Sequence, residues 1–401
     1  MPKKKLKVFV AMSGGVDSSV AAALLKKGGF DVVGVYMKCW QDGEACTSQD
    51  DERSARLAAA HLGIPFYAWN FLKEYKEKVV DYMLKGYADG VTPNPDMMCN
   101  KEIKFGLFFE KARKLGADYI ATGHYARIRQ YSFRGTGGSP APAVGVHLRS
   151  RHENLNSVEN QAFHASEGFH KKNTGSFLLS EARDKNKDQS YFLSFIKPDV
   201  LSHVLFPIGE YTKPQVRELA RKFGLPNAER KDSQGICFVG KIDVGDFLKQ
   251  YIAPYKGEIV DTAGHVLGTH EGSMYYTIGQ RSGLGLSGGP YYVVQKDLLA
   301  NQLVVSKNEE DLKKKEMVVE NVNWFAGNSA EIPSEVKVKI RYRTSSVLGT
   351  LSKIRDTRLR QGFGGQAKYK IQFSEPQRAV TPGQFAVIYQ GEILIGGGVI
   401  C

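Results

Sequence analysis

Between Lys7 and His124 the chain alternates between two hydrophobic periods, and this alternation restricts the fold more than any other feature. Strand-like runs rich in β-branched residues cover Lys7–Met12, Asp31–Met37, Ile64–Phe71 and Ala117–His124. Helical patterns lie between them at Ser19–Lys27, Glu52–Leu62, Lys73–Leu84 and Glu102–Leu115. In "ARLAAAHLG" the apolar positions recur every three or four residues, and Gly63 ends the pattern. Strands buried on both faces and separated by helices predict an α/β fold with a doubly wound parallel sheet. In such sheets ligands sit outside the carboxyl ends of the strands. The segments "SGGVDSS", "MKCW" and "ATGHYAR" all occupy those ends, so they predict one shared site.

The bulk properties set limits. A chain of 401 residues can form two or three domains with a large core. It has no run of about 18 apolar residues, which predicts no membrane span. The basic start, Met1 to Lys7, reads as a solvated lead into the first strand rather than a targeting tag. Five cysteines, an odd and sparse set, fit a reducing, cytoplasmic compartment and make single thiols candidates for chemistry. The formal charge of +13, from 55 basic and 42 acidic residues, favours a polyanionic partner such as RNA.

Beyond the alternation the texture changes. Residues 131–180 are polar, rich in Gly, Ser, Asn and His, and without period, which predicts a flexible insertion. The segment holds His147, His152, His164 and His170, but their irregular spacing fits no metal site. Its five basic and three acidic residues leave most of the positive excess on the remainder of the chain. A helical pattern returns at Lys213–Phe223, with Pro214 placed for a first turn. After about Asp243 short alternating runs with glycine turns predict small β-barrels or sandwiches. Residues 355–368, "RDTRLRQGFGGQAK", read as a second surface insertion.

Three stretches carry chemistry. In "SGGVDSSV", Gly14 and Gly15 let backbone N–H groups approach phosphate oxygens, and the following helix directs its positive end at them. Ser13, Ser18 and Ser19 add hydroxyl donors, and Asp17 can hold a Mg²⁺. No lysine closes the loop, unlike the commonest nucleotide-binding loop. In "NPDMMCNKEIKF", Pro93 and Pro95 predict an extended segment with a helix starting near Asn100. That would put Cys99 just before a helix N-terminus near lysines, a setting that lowers a thiol pKa. Asp96, three residues before it, can act as general acid or base. On composition alone, a buried inert cysteine remains the simpler reading. In "DSQGICFV", Gly235 lets backbone approach closely beside Cys237. Cys39 and Cys46, seven residues apart without nearby histidines, fit no usual zinc pattern and read as structural, as does Cys401. Lys101 and Lys104 would face phosphate if RNA binds here and are otherwise solvated.

The order Ser-Gly-Gly-x-Asp-Ser resembles the signature of the ATP pyrophosphatases, whose loop holds the leaving pyrophosphate of ATP. The resemblance extends further. "AMSGGVDSSVAA", "NPDMMCNKEIKFG", "ATGHYAR", "NKDQSYFL", "GEYTKPQVRELARKFGLPNAERKDSQGICFVG", "YTIGQRSGLGL" and "TPGQFAVIY" together resemble the bacterial tRNA 2-thiouridylases, from residue 11 to about residue 398. The resemblance implies a catalytic α/β domain over 1–242, a small central domain over 243–308 and a C-terminal β-barrel over 309–401. It implies ATP contacts from Ala11, Met12, Ser13, Gly14, Gly15, Val16, Asp17, Ser18, Met37 and Gly123. It makes Cys99 and Cys237 the two catalytic thiols. It sets Asn94, Pro95 and Asp96 against the target base, and His124, Lys187, Asp188, Gln189, Arg341, Tyr342 and Gln384 against tRNA.

The implied reaction is ATP- and Mg²⁺-dependent 2-thiolation of a wobble uridine. The C2 oxygen is adenylated with loss of pyrophosphate, then replaced by sulfur from a persulfide on Cys237. The persulfide donor would be a cysteine desulfurase or a sulfur-relay protein. Two other readings stand beside this one. A synthetase making amide or amidine bonds on a small substrate needs neither the cysteine pair nor the basic C-terminal region. A tRNA-binding protein without catalysis needs none of Asp17, Asp96, Cys99 and Cys237. The two insertions depart from the family pattern, and the first separates "ATGHYAR" from "KDQSYFL".

Overall fold

A computed structural model describes residues 5–40, 48–131, 176–231, 244–325, 333–354 and 367–401. Strand β1 (Lys7–Ala11) enters a tight turn and helix α1 (Val16–Lys27). Strand β2 (Asp31–Lys38), helix α2 (Ser48–Leu62) and strand β3 (Phe66–Asn70) follow. Two longer helical stretches, α3 over residues 72–88 and α4 over residues 95–114, lead to β4 (Tyr119–Thr122). A hairpin of β5 (Arg127–Tyr131) and β6 (Ser176–Ser180) precedes the short β7 (Val204–Leu205).

The first sheet is parallel throughout, in the order β3-β2-β1-β4-β7. Both faces of β1 are buried, as its unbroken apolar run requires. Phe9 and Ala11 join a core with residues of α3 and α4, while Val8 and Val10 join one with Ala22 of α1 and Ala55, Ala58 and Ala59 of α2. The chain moves outward from β1 through β2 to β3, then crosses to the other side of β1 to place β4. The crevice between β1 and β4 is therefore the topological switch point of the sheet.

Helix α5 (Lys213–Lys222) packs Val216 and Ala220 against Val16 and Val20 of α1. After the short α6 (Val244–Lys249), strands β8 (Gly257–Asp261), β9 (Val266–His270), β10 (Tyr292–Asp297) and β11 (Gln302–Ser306) make a separate sheet in the order β10-β11-β8-β9. The remaining strands are β12 (Lys313–Trp324), β13 (Glu335–Lys339), β14 (Val347–Lys353), β15 (Tyr369–Arg378), β16 (Phe385–Gln390) and β17 (Ile393–Ile400). They follow the order β12-β15-β14-β13-β16-β17, and β12 pairs with β17, so these six strands form a closed antiparallel barrel. Val338, Ile371, Phe373, Ile388 and Ile395 share its core.

The insertions expected from composition are narrower than drawn. Residues 176–180 form β6, whose Leu179 pairs with Leu394 of β17, so the hairpin extends the barrel sheet. Its short apolar run "FLL" was hidden inside a polar window. Residues 132–175, including the four histidines, lie outside the described residues. Lys353 of β14 pairs directly with Tyr369 of β15, so the second insertion connects two hairpin strands. Its residues 355–366 also lie outside the described set. Among the described residues no helix is long and apolar enough to cross a membrane.

Barrel strand β17 packs closely against its neighbours, and its glycines leave the room for this. A Cβ on Gly397 would meet the Ser194 side chain at 2.7 Å, and one on Gly396 would meet the Trp324 ring at 2.5 Å. Gly397→Val is expected to destabilise the protein by about 1–3 kcal/mol through overpacking, measured as a lowered midpoint in chemical denaturation.

Candidate active site

The segments that the alternation placed at strand ends do converge. Ala11–Ser18 follow β1, Met37 lies near the end of β2, and Gly123 follows β4, so all three flank the central crevice. Gly14 adopts a φ of +82°, a conformation that favours glycine. A Cβ there would stand 2.3 Å from the Asp51 carbonyl oxygen. A Cβ on Gly123 would stand 2.6 Å from the Ser18 backbone nitrogen, so β4 can approach the first turn of α1 only through a glycine. Within the loop, the Ser13 N–H donates to Ser18 Oγ at 3.2 Å, and Ser18 Oγ donates to the Gly15 carbonyl at 3.1 Å. Ser13 is exposed, whereas Met12 is buried, so Met12 offers the crevice only its backbone. This cradle, with a helix N-terminus behind it, fits a nucleotide phosphate group.

Other elements hold the loop from behind. The Gly14 carbonyl accepts from Ser54 Oγ at 2.8 Å, Asn227 Nδ2 at 2.9 Å and Arg230 Nη1 at 3.2 Å. Arg230 also pairs with Asp51 of α2. Asn227 is buried and donates to Ser19 Oγ as well, while its own Oδ1 has no hydrogen-bond partner. Asp17, the expected Mg²⁺ ligand, faces a cation already. Lys213 Nζ lies 2.8 and 2.9 Å from its two carboxylate oxygens, and Tyr125 Oη donates to it at 2.9 Å. Among the described residues no group of three acidic, His or Cys side chains is placed to hold a metal. The Lys213 ammonium at both carboxylate oxygens would compete with a Mg²⁺ for Asp17.

The second cluster lies on α4. Its helix starts at Pro95, with Asn94 as N-cap accepting from the Met97 N–H at 3.2 Å. The expected start near Asn100 is thus corrected. Proline suits a first helical position, where its missing N–H costs nothing. Cys99 consequently sits in the second turn, buried at 7 % exposure, where a π-helical stretch begins (Cys99–Phe108). The argument from a helix N-terminus does not apply to it. Asp96 lies one turn earlier, and burial raises its carboxyl pKa against a smaller opposing pull from Lys104. Asn100 is buried beside Cys99 and donates to the Phe192 carbonyl at 3.2 Å, while its Oδ1 has no partner. Cys99 shares an apolar core with Ala11, Val35 and Phe247, and the half-buried Cys39 packs against it.

Of the residues tied to RNA by resemblance, Gln384 donates to the Thr92 carbonyl at 2.9 Å, joining the barrel to the segment that carries Asn94. Arg341 donates to the carbonyls of Ile278 and Ala379 and to Thr381 Oγ1, joining the central sheet to the barrel. Tyr342 packs its ring 4.5 Å from that of Phe192. Lys187 is half-buried. Gln189 accepts the Tyr125 N–H at 2.9 Å, which fixes the residue that reaches Asp17. Asp188 is buried, taking hydrogen bonds from Ala182 N, Ser190 N and Ser190 Oγ, with Lys339 Nζ at 3.2 Å. His124 is buried between Phe105 and Phe206, with Nδ1 2.7 Å from Thr122 Oγ1. Burial holds its pKa well below the usual range, so the ring is neutral. Cys237 and Cys46 lie outside the described residues. Tyr125, Lys213, Asn227 and Arg230 were not singled out beforehand. Lys213 was read only as part of a helix start, and the carboxylate across from it was the missing signal.

Comparison with known proteins adds three family matches in series. Residues 6–241 match a model described as "tRNA methyl transferase HUP domain". Residues 245–307 match "tRNA methyl transferase PRC-barrel domain", and residues 314–400 match "Aminomethyltransferase beta-barrel domain". The chain is 40 % identical over 403 residues to a Clostridioides difficile protein named tRNA-specific 2-thiouridylase MnmA, covering 98 % of each chain. It is 41 % identical over 406 residues to a protein of Geobacillus kaustophilus with the same name and the suffix 1, covering 99 % of this chain and 96 % of that one.

The raised Asp96 pKa has a consequence for stability. A carboxyl whose folded pKa lies above its unfolded value favours the folded state at low pH and loses that contribution as pH rises through the folded value. Asp96→Asn should therefore match the parent protein in acid and exceed its melting temperature above that window. Thermal unfolding from pH 4 to pH 8 checks this; a constant difference across the range would refute it.

Proposed function

The chain belongs to the tRNA-specific 2-thiouridylase family, and from that premise we propose that it exchanges the C2 oxygen of the wobble uridine of tRNA for sulfur in an ATP-dependent, two-thiol reaction. It is an enzyme of the sulfurtransferase class that forms 2-thiouridine in tRNA. The observation that carries the finer reading is the shared core that joins the crevice to the α4 cluster. Ala11 at the end of β1, Val35 of β2, Met97 and Cys99 all lie in it.

The uridine C2 oxygen is a poor leaving group, so it must first be activated. It attacks the α-phosphate of ATP, the bond to the bridging oxygen breaks, and pyrophosphate leaves into the loop of Ser13, Gly14, Gly15 and Ser18. Asn94 and Pro95 hold the base, and Asp96, whose carboxyl pKa burial raises above its ordinary value, exchanges the uridine proton. The Cys237 persulfide then supplies sulfur by one of two routes. In the first, its terminal sulfur attacks C2 and AMP leaves. The Cys99 thiolate then attacks Cys237 Sγ, which frees the thiocarbonyl. In the second, Cys99 attacks first and releases hydrosulfide, which displaces AMP. Both routes end in a Cys99–Cys237 disulfide that external thiols reduce. Cys237 is seven residues from Arg230 and from Val244, a span of at most about 25 Å. Arg230 bonds to the loop, and α6, which starts at Val244, sends Phe247 into the core that holds Cys99. Both flanks of the Cys237 segment are thus anchored beside the proposed reaction centre.

The base must leave the anticodon stack to reach this centre. Lys187, Gln189, Arg341, Tyr342 and Gln384 contact the RNA from the seam between the α/β region and the barrel, and the buried His124 and Asp188 shape that seam from beneath. A cysteine desulfurase or sulfur-relay protein supplies the persulfide.

Incubation of the protein with unmodified tRNA, ATP, Mg²⁺ and a persulfide donor, followed by nucleoside mass spectrometry, tests the reading. The expected product is a uridine carrying the mass shift of oxygen-to-sulfur exchange. A methylated nucleoside in its place would refute the assignment. Cys99→Ser and Cys237→Ser should each abolish 2-thiouridine while tRNA-dependent pyrophosphate release continues. Full product from either variant would remove the two-thiol mechanism.

A further inference from the structure

The phosphate loop has a deficit of positive charge. No lysine or arginine occurs between Ala11 and Leu25, and Asp17 adds a negative charge. A helix N-terminus supplies only about half a unit charge, against the several negative charges of a triphosphate. A loop of the common phosphate-binding type meets this demand with a lysine at its own end.

Here the tertiary structure brings a lysine from 196 residues away. Lys213 is the first residue of α5, and its ammonium lies against the Asp17 carboxylate in the first turn of α1. Its backbone is fixed. The Lys213 N–H donates to Asp184 Oδ2 at 2.9 Å, the Thr212 N–H donates to Gln215 Oε1 at 2.9 Å, and Val216 is fully buried against α1. Only the side chain is left to swing. Asp17 is held in turn by Tyr125 Oη, and Tyr125 by Gln189. Arg230, another nearby cation, is engaged by the Gly14 carbonyl and Asp51.

We propose that Lys213 is the phosphate-binding lysine of this site, contacting the pyrophosphate part of ATP, and that Asp17 is its counter-ion rather than a metal ligand. The proposal rests on the ATP-dependent reading above. Before ATP arrives, the Asp17 carboxylate keeps the ammonium at the crevice and spares it full hydration. When the β- and γ-phosphates enter the loop, the ammonium turns from one carboxylate to the phosphate oxygens, a charge-assisted contact made at little conformational cost.

Binding measurements on the full-length protein separate the possibilities. ATP, pyrophosphate and AMP are titrated calorimetrically in Mg²⁺ and again in EDTA. Lys213→Met should weaken ATP and pyrophosphate by about tenfold or more and leave AMP almost unaffected, and Lys213→Arg should restore most of the loss. Asp17→Asn should change ATP affinity by the same factor in Mg²⁺ and in EDTA. Unchanged ATP and pyrophosphate binding in folded Lys213→Met overturns the proposal, as does equal weakening of all three ligands. A loss in Asp17→Asn confined to Mg²⁺ also overturns it, since that is the mark of a metal ligand. If Lys213→Met does not fold, Lys213→Gln, which still donates to Asp17, is expected to show the same selective loss. Absence of saturable ATP and pyrophosphate binding in the parent protein would instead reject the underlying reading.

Discussion

The close approach of β4 to the first turn of α1 is the constraint on which the site depends. Gly123 has no side chain, so the end of β4 can pack against Asp17 and Ser18. That contact draws the two sides of the switch-point crevice together. It also brings Tyr125, two residues further on, within hydrogen-bond reach of Asp17. The parallel sheet makes a crevice here in any case. The glycine makes it narrow, and the loop clamp from Ser54, Asn227 and Arg230 makes it rigid. A site that binds a flexible, highly charged nucleotide gains from rigidity, because less ordering remains to be done on binding.

A second dependence runs through the segment 91–94. The Thr92 N–H donates to the Pro382 carbonyl of the barrel, Gln384 donates back to Thr92, and Thr92 Oγ1 lies 3.3 Å from Thr277 Oγ1 of the central region. Three parts of the chain therefore meet immediately before the helix that carries Asp96 and Cys99. The β5–β6 hairpin extends this connection by adding to the barrel sheet. Because the barrel and the α/β region meet at this seam, an RNA bound across it, as proposed above, would lie over Asn94, Pro95 and Asp96.

The two clusters differ in how they treat charge. At the loop, an acid and a lysine are paired and partly buried. On α4, burial raises the Asp96 pKa and keeps Cys99 from water. In the proposed reaction the first arrangement would serve to bind a polyanion, and the second would keep water from the proposed sulfur chemistry.

Much of this was legible in the residues. Apolar, β-branched runs between helical patterns pointed to the parallel sheet, and short alternating runs with glycine turns pointed to C-terminal barrels or sandwiches, because backbone hydrogen bonding and burial leave few other solutions. The loop "SGGVDSS" announced a tight turn between strand and helix, and Gly14, at a φ of +82°, has the conformation that favours glycine. Other features were set by contacts that no local pattern encodes. The helix start at Pro95 overrode an expectation of extended chain, since Asn94 capped it. Strand β6 was concealed until β17 offered it a partner. His124 and Asp188 acquired their internal roles from neighbours distant in sequence, and so did the pairing of Lys213 with Asp17. Local sequence determines which backbone conformations and charges are available at each point. Which charges face one another depends on how the helices and strands pack, and packing is settled only when the whole chain has folded.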